Sequence, residues 1–183
     1  MAQPIESYPV LLIVVQFSRH AAALEWATQK LEAEYGEVEM ASPCYDFVQT
    51  EYYQTSMGTG LKKQLLAFRE IILADRLAEI KRYTNQLEAE FALIGMATEP
   101  RPLNLDPGIL NLGKFHLATT KDQAHRVYLR DGIFAEVTLR FQDGAYEPWP
   151  WTYADYRLPE VRSFLKEARD YYKSCLRRRD GAA

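Results

Sequence analysis

The sequence predicts an α+β fold: a ferredoxin-like βαββαβ core with an added C-terminal β-hairpin and a closing helix. Three observations predict it. Apolar runs of strand length alternate with stripes of helical period in the order strand–helix–strand–strand–helix–strand. Two further strand-like runs then flank Arg130-Asp131-Gly132, a hairpin signal. From Pro159 onward, apolar residues again recur every three or four positions.

Each element has its own warrant. "VLLIVVQF" (10–17) is a continuous, β-branched run, the mark of a strand covered on both faces. Ser18 is placed to cap the following helix, in which Leu24, Ala27, Leu31 and Tyr35 share one face, and Gly36 ends it. "EVEMASPCYDFVQT" (37–50) reads as a second strand interrupted at Pro43. A polar loop over 50–60 leads to "LKKQLLAFREII" (61–72), the third strand. Leu77, Ile80, Thr84, Leu87 and Phe91 form the stripe of the clearest helix. The turn residues Asp106, Pro107 and Gly108 then precede a fourth strand within "GKFHLATT" (113–120).

In the hairpin of "RVYL" and "IFAEVTLRF", loop length sets the register. A two-residue Asp-Gly turn puts Leu129 opposite Phe134 and Val127 opposite Glu136. A three-residue loop puts Leu129 opposite Ile133, Val127 opposite Ala135 and Arg126 opposite Glu136. The second is preferred, since it sets apolar against apolar and charge against counter-charge. In the closing helix Pro159 suits the first turn, and Val161, Phe164, Leu165, Ala168, Tyr172 and Cys175 form the buried face.

At 183 residues the chain reads as a single domain. Its formal net charge of −3 argues against an electrostatically driven nucleic-acid binder. The charge is nonetheless uneven. Residues 1–60 hold two basic and eight acidic residues, and residues 157–180 hold eight basic and four acidic. Two widely separated cysteines, Cys44 and Cys175, suggest reduced thiols in a cytoplasm. The run Val10–Val15 is too short to span a bilayer, which takes about 20 residues, so no membrane is expected.

The densest chemistry is "LATTKDQAHRVYL" (117–129). Thr119 and Thr120 are expected at a strand-to-helix junction, where hydroxyl and backbone N–H groups can receive an anion and Lys121 adds positive charge. Asp122, His125 and Arg126 stand three and four apart, hence on one face of a turn, with Glu136 facing Arg126 across the hairpin. The same residues also suit a threonine cap beside a helix ion pair. Lys81 and Asn85 flank Thr84 on the long helix and can approach the same end of the sheet. Arg101, Asn104 and Asp106 precede the Pro-Gly turn, and Asp106 can equally bond the turn backbone. Trp149, Trp151, Tyr153 and Tyr156 either stack on a ligand or pin their proline-rich segment to the core.

Other chemistries find no support. "GTGLKK" (58–63) lacks the spacing of a phosphate-binding loop, and no nucleophile elbow is present. His116 and His125 match no standard metal motif, so no metal site is assigned and a metal-dependent hydrolase using either histidine ranks third among the readings; no motif names a cofactor.

"TEYYQTSMG", "LAEIKRYTNQLE", "LNLDPG", "KFHLATTKDQAHRVYL", "GIFAEVTL" and "PWTYADY" resemble a bacterial family known as domain of unknown function 4416. The resemblance spans nearly the whole chain. It implies that the marked positions are Lys81, Thr84 and Asn85, Asn104 and Asp106, Thr119 to Arg126, Glu136, and Trp151 to Tyr156. Ala154 departs from it, standing where a proline is usual.

The function expected is a pocket for a small anionic molecule, a nucleotide or another phosphorylated metabolite. Lys81, Asn85, Thr119, Thr120, Lys121, Arg126 and Tyr153 would bind it, and Asp122, His125 and Glu136 would be the acid–base groups if chemistry occurs. The alternative is a protein or RNA interaction module using the basic last helix and the Trp/Tyr segment, with nucleic acid a possible but less favoured partner.

Overall fold

The computed structural model describes residues 7–181. β1 (Pro9–Ser18) leads into α1 (Ala21–Tyr35), the short strands β2 (Val38–Ala41) and β3 (Tyr45–Asp46), the single helical turn α2 (Gln54–Met57) and the long β4 (Lys62–Leu73). α3 (Leu77–Ile94) follows, then β5 (Asn104–Leu110), β6 (Lys114–Thr119), β7 (Val127–Arg130), β8 (Ile133–Gln142), β9 (Ala145–Pro148) and α4 (Pro159–Asp180). The strands form one sheet, antiparallel at every pair among the described residues, in the order β2-β4-β1-β5-β6-β8-β7, with β3 beside β4 and β9 beside β8.

The centre of the sheet explains the unbroken apolar run of β1. Successive side chains of a strand point to opposite faces. Leu11, Ile13 and Val15 meet Phe164, Leu165 and Ala168 of α4 on one face, while Leu12 and Val14 meet Leu24 and Leu31 of α1 and Ile80 of α3 on the other. Helices on both sides leave no polar face, and each such side chain contributes roughly 1.5–3 kcal/mol by its burial. The expected buried faces of α1 and α4 are the observed ones. Among the described residues no helix is long and apolar enough to cross a membrane.

The sheet is larger than expected. Asn104–Leu110 was expected to hold only a turn and is instead β5, paired with β1 from Leu11↔Leu110 to Phe17↔Asn104. The expected fourth strand is β6 and lies one place further out. Pro107 is tolerated because β6 pairs with β5 only at Gly108–Leu110, so the first half of β5 bonds on the β1 side alone.

Two further expectations are corrected. No helix follows Thr119. Residues 120–126 are a connection into β7, and the Thr119 hydroxyl accepts the Lys121 N–H (3.2 Å), closing a local turn. The junction is therefore strand-to-loop. Ser18 does not occupy the cap position of α1, which belongs to His20; its hydroxyl donates to the Pro102 carbonyl at 2.6 Å and ties β1 to the segment before β5.

The hairpin combines features of both registers considered. Arg130 pairs with Ile133 across a two-residue turn in which Asp131 and Gly132 both have positive φ (54° and 75°). A register shift between Tyr128 and Arg130 then restores Val127 opposite Ala135, the pairing favoured by hydrophobic matching. Asp143-Gly144 makes a second left-handed turn (φ 51° and 83°), and it creates the unexpected strand β9.

Candidate functional site

Beyond Gly108↔Leu117 the pairing of β5 with β6 stops, and Pro107 has no N–H to continue it. A cavity of about 590 Å³ occupies this end of the sheet, between the first half of β5 and the last residues of β6. Because the sheet is open there, residues from both of its faces reach one space. Lys81, Asn85 and Glu88 come from α3 on one side, and Asp155 and Tyr156 come from the turn before α4 on the other. The ladder supplies the rest. Lys63 and Asn104 both pair with Phe17 at the end of β1, while Glu136 on β8 pairs with Leu117. The segment bearing Phe47, Tyr52 and Tyr53 closes the remaining side.

The charged lining is arranged in pairs. Lys63 Nζ lies 2.6 Å from Asp155 Oδ2, and Lys81 Nζ lies 3.1 Å from Asp106 Oδ1 while donating to the Leu105 carbonyl at 2.7 Å. Arg101 Nη2 bonds Glu88 Oε2 at 2.8 Å and also contacts Asn104, whose amide donates to Asp106 Oδ2 at 2.8 Å. The Lys63 ammonium also sits 4.5 to 5.0 Å from the ring centres of Phe47, Tyr156 and Phe17, an aromatic cage that favours a cation.

Arg126 holds the fourth pair. Its Nε donates to Glu136 Oε2 at 2.8 Å, Nη1 to the Lys121 carbonyl at 2.9 Å and Nη2 to the Tyr153 hydroxyl at 2.9 Å. One guanidinium thus fixes the 120–126 connection, β8 and the Trp/Tyr segment together. His125 Nε2 approaches the same Glu136 oxygen at 3.1 Å. Glu136 Oε1 is buried and has no hydrogen-bond partner among the described residues, and the same holds for the Tyr156 hydroxyl. Lys121 has no carboxylate partner among the described residues. Its Nζ donates to the Tyr52 hydroxyl at 2.9 Å and lies 4.4 Å from that ring's centre.

Burial and charge act against each other on the carboxyls. Burial alone would raise Asp106, but the ammonium groups of Lys81 and Lys63 outweigh it and hold that carboxyl below its usual range. At Glu88 burial wins over Lys81 and Arg101, and the carboxyl is raised. Burial likewise drives the Tyr156 hydroxyl well above its ordinary value, whereas the hydrogen bond from Lys121 lowers that of Tyr52.

Lys81, Asn85, Thr119, Thr120, Lys121, Arg126, Glu136 and Tyr153 line this one cavity, although they come from four separate stretches of chain. Two expected residues stand elsewhere. Asp122 is exposed and outside the lining, because the loop does not present the face that a helix would. His125 lies behind Glu136, stacked on Trp151 (centroids 5.3 Å apart, planes at 18°), which in turn stacks on Trp149 at 5.2 Å. Arg140 covers Trp149 at 4.5 Å, so the tryptophans form a ladder packed along β8. Lys63, Glu88, Tyr52 and Tyr53 also line the cavity and are not among the site residues expected from the sequence, while Asp155 is marked there only within the stretch Trp151 to Tyr156. Lys63 carried a signal: it shares the inward parity of Leu65 and Ala67 on β4, an unusual place for an ammonium.

The molecule is thus a mixed α/β protein with a charge-paired cleft at one open end of its sheet. The chain belongs to the family described as Domain of unknown function (DUF4416), whose model matches residues 8–172 and so includes every cavity residue named above. Neither the comparison with curated proteins nor that with solved structures returned a match.

Proposed function

We propose that the protein binds a small anionic metabolite, a nucleotide or another phosphorylated compound, in this cavity, as a cytoplasmic protein with a single α+β domain. The observation that carries the reading is a cavity of about 590 Å³ lined by four ion pairs and one lysine, Lys121, without an acidic partner among the described residues. The size lies within the roughly 300–1,000 Å³ of small-molecule sites. Buried ion pairs are weak sources of stability compared with well-packed apolar side chains, so the two fully buried pairs, Lys63–Asp155 and Arg126–Glu136, together with two partly exposed ones around the same space, favour a binding role over a structural one. Lys121 is an exposed lining residue with the Tyr52 ring beside it, and among the described residues no carboxylate matches its charge, which is therefore available to an incoming anion. If a proton is transferred, Glu136 is the acid–base group with an oxygen left over. His125 would then act through Glu136. The order β2-β4-β1-β5, with α1 and α3 packed on one face, supports a ferredoxin-like reading of the first half of the chain.

A thermal-shift screen against nucleotides, sugar phosphates and divalent metals, run with Lys121→Ala in parallel, tests the reading. A ligand at a hundredfold excess over its Kd stabilises by about 2.7 kcal/mol, a rise of roughly 5–10 °C for a chain of this size. The expected result is a rise with an anionic compound that Lys121→Ala loses, with the unliganded melting temperatures equal. No shift with any anion would overturn it and favour an interaction module built on the basic end of α4.

A further inference from the structure

We infer that the ligand is a phosphorylated polyhydroxy compound that donates a hydroxyl hydrogen bond to Glu136; this rests on the anion-binding reading above. Glu136 lines the cavity with its side chain 2% exposed, and Arg126 Nε and His125 Nε2 both converge on Oε2. Oε1 is left with no partner among the described residues. Buried polar atoms in folded proteins are nearly always hydrogen-bonded, so an unpartnered oxygen on a side chain that lines a cavity marks a place where the contents of that cavity can donate.

The neighbours of Glu136 select the donor. Arg126 already balances its charge, and an ammonium brought to Oε1 would stand beside that guanidinium and be repelled. An uncharged O–H meets no such opposition. Tyr156 also lines the cavity, and its hydroxyl, without a partner among the described residues, can accept from or donate to a second hydroxyl, a versatility suited to a polyol. The lining faces of Tyr52 and Tyr53 provide apolar surface for the C–H side of a sugar ring.

The anionic end of the same ligand follows from Arg126. The guanidinium that holds Glu136 also holds the Lys121 carbonyl at 2.9 Å, so the unmatched acceptor and the residue bearing the available ammonium are anchored on one side chain. A molecule that satisfies both carries hydroxyls and a negative group. Free sugar phosphates have that chemistry, and so does the sugar-phosphate part of a nucleotide.

Calorimetric titration of the intact protein with ribose 5-phosphate, AMP and pentyl phosphate is the test, since pentyl phosphate keeps the phosphate and the chain length but has no hydroxyl. We expect ribose 5-phosphate or AMP to bind at least tenfold more tightly than pentyl phosphate. Stronger binding of ribose 5-phosphate identifies a free sugar phosphate, and stronger binding of AMP a nucleotide. Glu136→Gln replaces a charged acceptor with a neutral amide and should reduce the hydroxyl preference at least threefold. Should that variant fail to fold, the wild-type comparison decides alone. Equal binding of all three phosphates would overturn the hydroxyl assignment while leaving the anion site standing. Binding of none would remove both.

Discussion

Arg126 and Glu136 form a buried ion pair at the foot of the β7–β8 hairpin, Nε to Oε2 at 2.8 Å, with each side chain 2% exposed. Ten residues apart in the chain, they join the connection after β6 to the strand beside it, and Tyr153 is bonded to the same guanidinium.

Removing one partner should be far worse than removing both. Arg126→Ala leaves a carboxylate buried without its counter-charge, and a loss of about 3–5 kcal/mol in urea unfolding at pH 7 is expected. Arg126→Leu combined with Glu136→Leu should recover most of it. A single substitution costing under about 1 kcal/mol would show that the pair is solvated in solution.

The caged lysine gives a parallel test. Lys63→Met retains the aliphatic contact with Phe17, Phe47 and Tyr156 but leaves Asp155 buried and unpaired. A loss of several kcal/mol is expected, relieved by adding Asp155→Asn, because the amide can be buried uncharged. A Lys63→Met protein as stable as wild type would contradict the pairing.

His116 sets an acid-sensitive window. Burial, with Lys114 nearby, lowers its imidazole from 6.5 to about 4, so the folded state holds it neutral where the unfolded chain would protonate it. Its contribution is present above pH 6.5 and is lost as pH falls through about 4. Urea midpoints should fall between pH 7 and 4, and His116→Leu should flatten that part of the profile. The Asp106 carboxyl, held below its usual value, acts in the same direction at lower pH.

Gly108 marks where β5 and β6 touch before they part. A Cβ there would lie 2.4 Å from the His116 carbonyl oxygen and 2.7 Å from a Phe115 ring carbon. Gly108→Ala should therefore destabilise by about 1–3 kcal/mol, as overpacking does. Since the contact forms the apex of the cleft, ligand affinity should fall along with the melting temperature. An unchanged melting temperature would mean that the strands separate without cost.

Local patterns were legible where one periodicity dominated. The two-faced burial of Val10–Phe17, the stripe of Leu24, Ala27, Leu31 and Tyr35, and the buried face of α4 follow from side-chain spacing alone. β5 was hidden because Asp106-Pro107-Gly108 is strong turn chemistry; pairing with β1 along seven residues overrode it. The helix expected after Thr119 failed for the related reason that Arg126 is drawn to Glu136, which makes the segment a loop.

The sequence by itself determined the faces of the helices, the apolar centre of the sheet, the Asp-Gly turns and the polar residues worth watching. These depend on neighbours within a few positions. Only the tertiary structure decided that Lys63 meets Asp155 across 92 residues, that Lys81 reaches Asp106 through the gap beside β5, and that Asp122 stays outside. Such pairings depend on which strands lie side by side and where their ladder stops, and that is settled by the packing of the whole sheet against its helices.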